Sequence, residues 1–272
     1  MKEFGRAGVK VSEVGMGTYY DPIWISTAFF GWRRRKVRKI GAIRCGLEGG
    51  MNLIDTAEIY GSEPLIREAL SQVNREEVFL ATKVWSNHLH GDDLVRSLGR
   101  SLSRLGTTYV DLYQVHWPNP HVPIRETMGA MQSLVNDGRV KHVGVSNFGL
   151  SQLREANSAL PKSEISAVQL DYSLVTRNVE RDILPYCQEN GIVLLAYYPL
   201  GHGRLASSPE LNGIAKKYGK TRAQIALRWL ARKNNVFPIP RASTVAHVQE
   251  DLGASGWELA AEDVKDLETK FR

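Results

Sequence analysis

The sequence predicts an α/β protein folded as one (β/α)8 barrel of the TIM type, and three observations predict it. Short apolar runs rich in β-branched residues alternate with longer amphipathic segments along all 272 residues. The runs carry almost no polar alternation, as strands buried on both faces do. The Gly-x-Gly-x-x-Gly turn that an open doubly wound sheet would want after an early strand is absent.

Taken in order, strands are expected over 11–16, 52–56, 78–84, 109–116, 140–146, 167–172, 192–198 and 236–240. Helices are expected over 36–48, 63–70, 92–105, 124–137, 151–160, 179–190, 221–234 and 245–252, with a last one over 261–271. Gly49-Gly50, Gly106, Gly138 and Gly191 each follow an amphipathic run, where a C-terminal glycine stops a helix. Ser151 and Thr221 stand where N-caps belong. Residues 2–4 and 9–11, joined through Gly5 to Gly8, suit a β-hairpin closing the barrel floor. No low-complexity linker interrupts the pattern, so 1–272 reads as a single domain. The aromatic-rich stretch 21–32 follows the first strand and belongs on the rim that carries the site.

Hydrophobic residues at 43% and charged residues at 24% are ordinary for a soluble protein. The formal charge of +6 suits attraction of phosphorylated cofactors as well as of nucleic acid. Most basic residues are interleaved with acids on helix-like stretches. The one dense run, Arg33-Arg34-Arg35-Lys36, lacks the aromatic or glycine repeats of RNA binders, so no nucleic-acid partner is expected. Cys45 and Cys187 are far apart and make neither a disulfide framework nor a metal site. Met1 leads into polar residues rather than an apolar signal core, and no apolar run approaches the length of a membrane span. A cytoplasmic protein is expected, monomeric or weakly oligomeric, with no membrane partner.

In a barrel, functional side chains gather at the carboxyl ends of the strands. Asp55 ends the second strand, Tyr60 follows five residues later, Lys83 ends the third strand and His116 the fourth. Neighbouring strands lie about 4.8 Å apart, so the four can converge. Their chemistry is coherent. An ammonium beside a phenol pulls the phenol's pKa down towards the working range. A buried lysine needs a carboxylate to stay charged, and Asp55 is available. A histidine can orient a substrate carbonyl for proton donation from Tyr60. Singly, each residue is more often structural: a strand-end aspartate caps a helix and a tyrosine packs. Their joint placement favours catalysis, with no metal required.

The chain resembles the aldo-keto reductase family over nearly its whole length. The resemblance lies in Met16-Gly-Thr-Tyr-Tyr20, Asn52 to Gly61 (with its Ile-Asp-Thr-Ala-x-x-Tyr-Gly core), Asp111 to Pro118, Gly144-Val-Ser-Asn-Phe148, Gln169-Leu-Asp-Tyr172, Ala196-Tyr-Tyr-Pro-Leu-Gly201 and Pro238-Ile-Pro-Arg241. It implies reduction of aldehydes or ketones by hydride transfer from NADPH, with Tyr60 as proton donor, Lys83 and Asp55 as its tuning pair and His116 as carbonyl orienter. Ser146, Asn147 and Gln169 match positions that bond the nicotinamide carboxamide, and Tyr197 the side chain stacked on its ring. Gly17 and Thr18 match contacts near the nicotinamide; Tyr198, Leu200 and Gly201 match contacts along the pyrophosphate. Arg241, Ser243 and Thr244 suit a 2′-phosphate at a helix N-terminus. Glu250 and Asp251 match positions that grip the adenine. His247 stands where the family commonly has a second arginine, so NADPH is expected with NADH use open.

The aromatics Tyr20, Trp24, Trp85 and Trp117 are expected to line a substrate pocket, with ordinary packing of the insertion an equal alternative for Trp24, as for Phe29 and Phe30. Short segments after His116 and after the last helix suggest an open site for small or sugar-like carbonyl substrates. His88-Leu-His90 has the spacing of a metal pair but no third ligand in company, and reads as a polar loop. Two rivals remain: a Schiff-base aldolase with Lys83 as nucleophile, and a non-catalytic subunit of reductase fold.

Overall fold

The computed structural model describes residues 1–20, 32–160 and 162–271. The expected rim insertion, with Trp24, Phe29 and Phe30, therefore lies outside the described residues apart from its last residue, Trp32. Two two-residue strands, β1 (Lys2–Glu3) and β2 (Lys10–Val11), pair antiparallel as the anticipated hairpin. The barrel is built from β3 (Met16–Gly17), β4 (Leu53–Asp55), β5 (Phe79–Val84), β6 (Val110–Val115), β7 (Val140–Ser146), β8 (Ile165–Asp171), β9 (Val193–Tyr197) and β10 (Val236–Pro238), parallel and in sequence order. It closes where Gly15 N donates to Pro238 O and Gly17 N to Pro240 O, each at 2.9 Å, with Gly17 bridged to Arg241.

The first barrel strand is shorter than the sequence suggests. Over the expected strand 11–16, Val11 belongs to the hairpin, and side chains take over the ladder beyond it. Ser12 N donates to Asn52 Oδ1 at 2.7 Å, and Leu53 N to Ser12 Oγ.

The helices are α1 (Trp32–Glu48), α2 (Glu63–Ala69), α3 (Gly91–Leu105), α4 (Ile124–Asn136), α5 (Leu150–Ser158), α6 (Ile183–Asn190), α7 (Arg204–Ser207), α8 (Asn212–Tyr218), α9 (Arg222–Ala231), α10 (Val245–Leu252) and α11 (Ala261–Lys270). In α3 the buried residues Leu94, Ser97, Leu98, Ser101, Leu102 and Leu105 recur at three- and four-residue spacing, the stripe that faces a sheet. Gly106 and Gly191 end α3 and α6 at φ 67° and 68°, a conformation that costs a glycine nothing. Thr221 caps α9, its hydroxyl accepting from Gln224 N while Gln224 accepts from Thr221 N. Ser151 is not a cap: Gln152 Oε1 accepts from Gly149 N, and α5 starts one residue earlier than expected. α6 begins later than the expected 179, because Asp182 Oδ1 accepts from Ile183 N after a separate turn at Asn178–Glu180. The short α7 and α8, beyond the helices expected from the sequence, fill the connection from β9 to α9.

Alternate strand residues point into the barrel. Phe4, Leu53, Phe79, Ala81, Leu112, Ala167, Val193, Leu195 and Phe237 form the apolar filling of its lower half. Phe4, from the hairpin, plugs the floor with ring centroids 4.5 Å from Phe79 and 5.6 Å from Phe237. The larger apolar cluster lies between strands and helices. Among the described residues no helix is long and apolar enough to cross a membrane.

Candidate active site

Continuing the same inward parity towards the carboxyl ends turns the lining polar. Leu53 is followed by Asp55, Ala81 by Lys83, Leu112 by Gln114 and His116, Ala167 by Gln169, and Leu195 by Tyr197. Parallel register sets Lys83 opposite Gln114, Asp55 opposite Gly17 and Ser146 opposite Gln169.

Four of the expected residues meet. Lys83, wholly buried, donates to Asp55 Oδ2 at 2.7 Å and to Thr56 O at 2.8 Å, and lies 3.5 Å from Tyr60 Oη. Tyr60 Oη is 3.3 Å from His116 Nε2. Tyr60 sits in a tight turn at Glu58–Tyr60 that closes on Gly61 at φ 65°. That turn is tied to the loop after β5 by Glu58, whose carboxylate accepts from Trp85 N, His88 Nδ1 and Ser97 Oγ.

Burial dominates the electrostatics of the cluster. It pulls the Lys83 ammonium below its ordinary pKa, with the charge and hydrogen bond of Asp55 opposing. It lowers His116 to about 3, with Lys83 adding to the effect, so the imidazole is neutral. Tyr60 departs from the sequence expectation that Lys83 would pull its phenol down. Burial, then Asp55 and the nearby Tyr198, Tyr19 and Tyr197, push it well above the ordinary value. The physical reason is that Asp55 already compensates the ammonium, leaving the desolvated phenol to hold its proton.

The expected cofactor positions surround this centre. Asn147, in the left-handed region at φ 62°, donates to His116 O and Ser146 Oγ and accepts from Tyr197 Oη at 2.8 Å. Ser146 Oγ donates to Gln169 O, and Gln169 Nε2 donates to Asp55 Oδ1 at 2.8 Å. Thr18 is engaged with Asp55 O and Ser62 Oγ. At Gly17 a Cβ would stand 2.8 Å from Ile239 O, so only glycine fits there. The turn after β9 carries Tyr198, Gly201 and His202 at positive φ, with Leu200 packed beneath. Such a run of strained backbone is typical of functional loops. Further out, Thr244 caps α10 by accepting from His247 N, Ser243 and Glu250 are half-buried, and Arg241 and His247 are exposed. Asp251 is buried, and desolvation, with Glu250 adding, raises its carboxyl well above the usual range.

At the mouth, the Trp85 ring stands edge-on to His116 at 5.2 Å and Trp117 is 45% exposed. Tyr20 does not join them. It is 2% exposed, in the same apolar cluster as Ile40 and Ile43, with Lys39 Nζ 4.4 Å over its ring. Its neighbour Tyr19 instead packs its ring 5.0 Å from Tyr60. His88 and His90 each face a carboxylate, Glu58 and Glu126, at 2.9 and 3.0 Å. Sequence reading missed Tyr19, Glu58 and Gln114. Only Gln114 left a signal, two residues before His116 on the same strand face.

The described geometry accompanies extensive likeness to known proteins. The model of the aldo/keto reductase family matches residues 27–271. The methylglyoxal reductase YeaE of Escherichia coli is 34% identical, over 97% of this chain and 92% of its own. A thermostable aldo-keto reductase solved with the inhibitor epalrestat superimposes with a TM-score of 0.89 at 39% identity, covering 98% of each chain. An aldo/keto reductase from Klebsiella pneumoniae, solved with NADP and acetate, does so at 0.88 and 29% identity, over 99% of this chain and 95% of that one. This chain is an oxidoreductase belonging to the aldo-keto reductase family.

Proposed function

We propose that the whole chain acts as one barrel enzyme that reduces a carbonyl to an alcohol with NADPH, Tyr60 giving the proton. One observation carries the reading: the Tyr60 hydroxyl lies within 3.5 Å of both a buried lysine and a neutral imidazole, at the barrel mouth. The residues suit a nicotinamide dinucleotide. Gln169 spends its amide nitrogen on Asp55 and keeps its carbonyl for a carboxamide. Tyr197, half-buried at the end of β9, offers a flat face for an apolar ring, and Gly17 and Gly201 let the backbone beside it pack closely, against Ile239 O and Val175. Arg241 at the head of α10 provides charge for a 2′-phosphate. The bound dinucleotide supplies the hydride.

This chain's own groups do the rest. His116 Nε2 orients the carbonyl oxygen; Tyr60 Oη transfers its proton to that oxygen as charge builds there. The Lys83 ammonium, held by Asp55, compensates the phenolate left behind. The reductases of methylglyoxal among its relatives, and an exposed mouth edged by Trp85 and Trp117, support small or sugar-like aldehydes and ketones as substrates. NADH use stays open, because His247 replaces a cation. Two free thiols, Cys45 and Cys187, agree with a cytoplasmic enzyme.

The experiment is absorbance loss of NADPH and NADH against a panel of carbonyls, beside Tyr60→Phe. Turnover is expected to fall by roughly 10²–10⁴-fold in the variant with cofactor affinity retained. Unchanged turnover removes Tyr60 from its role.

A further inference from the structure

Two carboxamides reach the oxygen of Asp55 that Lys83 leaves open. Gln169 Nε2 donates to Asp55 Oδ1 at 2.8 Å and Gln114 Nε2 to the same oxygen at 3.4 Å, while Gln169 Nε2 also lies 3.5 Å from Gln114 Oε1. Gln114 is wholly buried inside the barrel. The neighbouring strand makes room for it. Gly144 stands opposite Gln114 in the β6–β7 pairing, at an irregularity of the next ladder, and a Cβ there would lie 2.9 Å from Gln114 Cγ. An aliphatic side chain would fill this space with no polar atom to satisfy, whereas a buried carboxamide is costly unless bonded. Gln114 is therefore poorly explained as filling, and well explained by the charge it touches.

We propose that Gln114 is a positioning residue for proton donation: together with Gln169 it saturates Asp55 Oδ1, fixes the carboxylate against Lys83, and so keeps the ammonium aimed at Tyr60. The inference rests on the reading of Tyr60 as proton donor. Burial alone drives Lys83 towards its neutral form, and only Asp55 opposes it. The groups facing Lys83 are Asp55 from β4, Tyr60 and the Thr56 carbonyl from the loop that follows, and His116 after β6, with Tyr19, Tyr197 and Tyr198 standing around Tyr60. Of these, Asp55 alone supplies negative charge. Lys83 holds one oxygen of Asp55 and the two carboxamides hold the other, so releasing Gln114 lets the carboxylate turn from the ammonium and weakens its hold on the lysine proton.

The test follows single-turnover hydride transfer from NADPH against pH in the wild type, Gln114→Met and Gln114→Leu, with NADPH dissociation constant and melting temperature measured on each. In the variants the alkaline limb is expected to move to lower pH by about half a unit or more, with NADPH affinity unchanged. A profile superimposable on the wild type, in whichever variant folds, overturns the proposal even if the melting temperature drops; Gln114 is then packing only. Failure of the underlying reading looks different: the wild type oxidises no NADPH, or Tyr60→Phe keeps the wild-type rate.

Discussion

Two lysines, one half-buried and one wholly buried, sit at opposite ends of this barrel and have opposite uses. At the floor, Lys2 spends all three ammonium hydrogens on backbone carbonyls, those of Ala231, Lys233 and Val236, and lies over the Phe237 ring. Burial pulls it down to about 8, with Glu13 opposing and Arg228 assisting. At the mouth, Lys83 spends two contacts on Asp55 and Thr56 and turns the third towards a phenol. The floor lysine is a clamp with nothing left to offer a ligand. The mouth lysine is balanced by one carboxylate and keeps one direction for chemistry. The surroundings follow the same division: Phe4, Phe79 and Phe237 fill the floor, whereas Asp55, Gln114, Gln169 and His116 line the mouth.

The largest expected effect lies at the mouth. Lys83→Met leaves Asp55 buried without its cation, which costs about 3–5 kcal/mol in stability. It also removes turnover by about 10²-fold or more. The double variant Lys83→Met with Asp55→Leu should recover much of the stability in a denaturant titration while remaining inactive. Recovery of turnover would erase the distinction between the two lysines. At the floor, Phe4→Ala should lower stability by about 3–5 kcal/mol through the cavity it opens. Turnover per folded molecule should stay near wild type, and a marked loss would show that the floor reaches the site.

A pH experiment sharpens the same contrast. His116 is held at about 3 in the folded chain, below its ordinary value of 6.5, because burial favours the neutral ring. The unfolded chain then binds the extra proton across that window, so stability falls as pH drops from 6.5 to 3. The slope is up to about 1.4 kcal/mol per pH unit. Chemical denaturation of the wild type and His116→Asn across this range should show the slope reduced in the variant. An identical slope would place the ring outside the desolvated centre. The smallest effect belongs to the exposed edge: His247→Arg should raise the preference for NADPH over NADH by up to about tenfold in dissociation constants, since an exposed helix-end contact is worth a fraction of a buried one.

Much of the site was legible because a barrel converts strand ends into a circle. Asp55, Lys83 and His116 each stand within one residue of a strand's end, and consecutive strands are neighbours, so their convergence follows from order alone. Gln114 shares its parity with His116 in the sequence, but an inward glutamine has no chemistry until the carboxylate beside it is known. Glu58 left no trace: its partners Trp85, His88 and Ser97 lie 27, 30 and 39 residues away in sequence. Tyr19 and Tyr20 differ by half a turn of backbone. No periodicity in so short a segment says which ring faces Tyr60 and which enters the outer layer.

The sequence by itself determined the alternation of strand and helix, the glycine stops, the floor hairpin and which residue types stand at the strand ends. These depend on spacing, propensity and burial period, all local properties of the chain. The tertiary structure alone decided the shortening of the first strand and the proton-holding state of Tyr60. It also decided the direction of each rim aromatic and the double grip on Asp55. Those depend on distances of a few ångströms between segments far apart in sequence, and on how much water the closed barrel excludes.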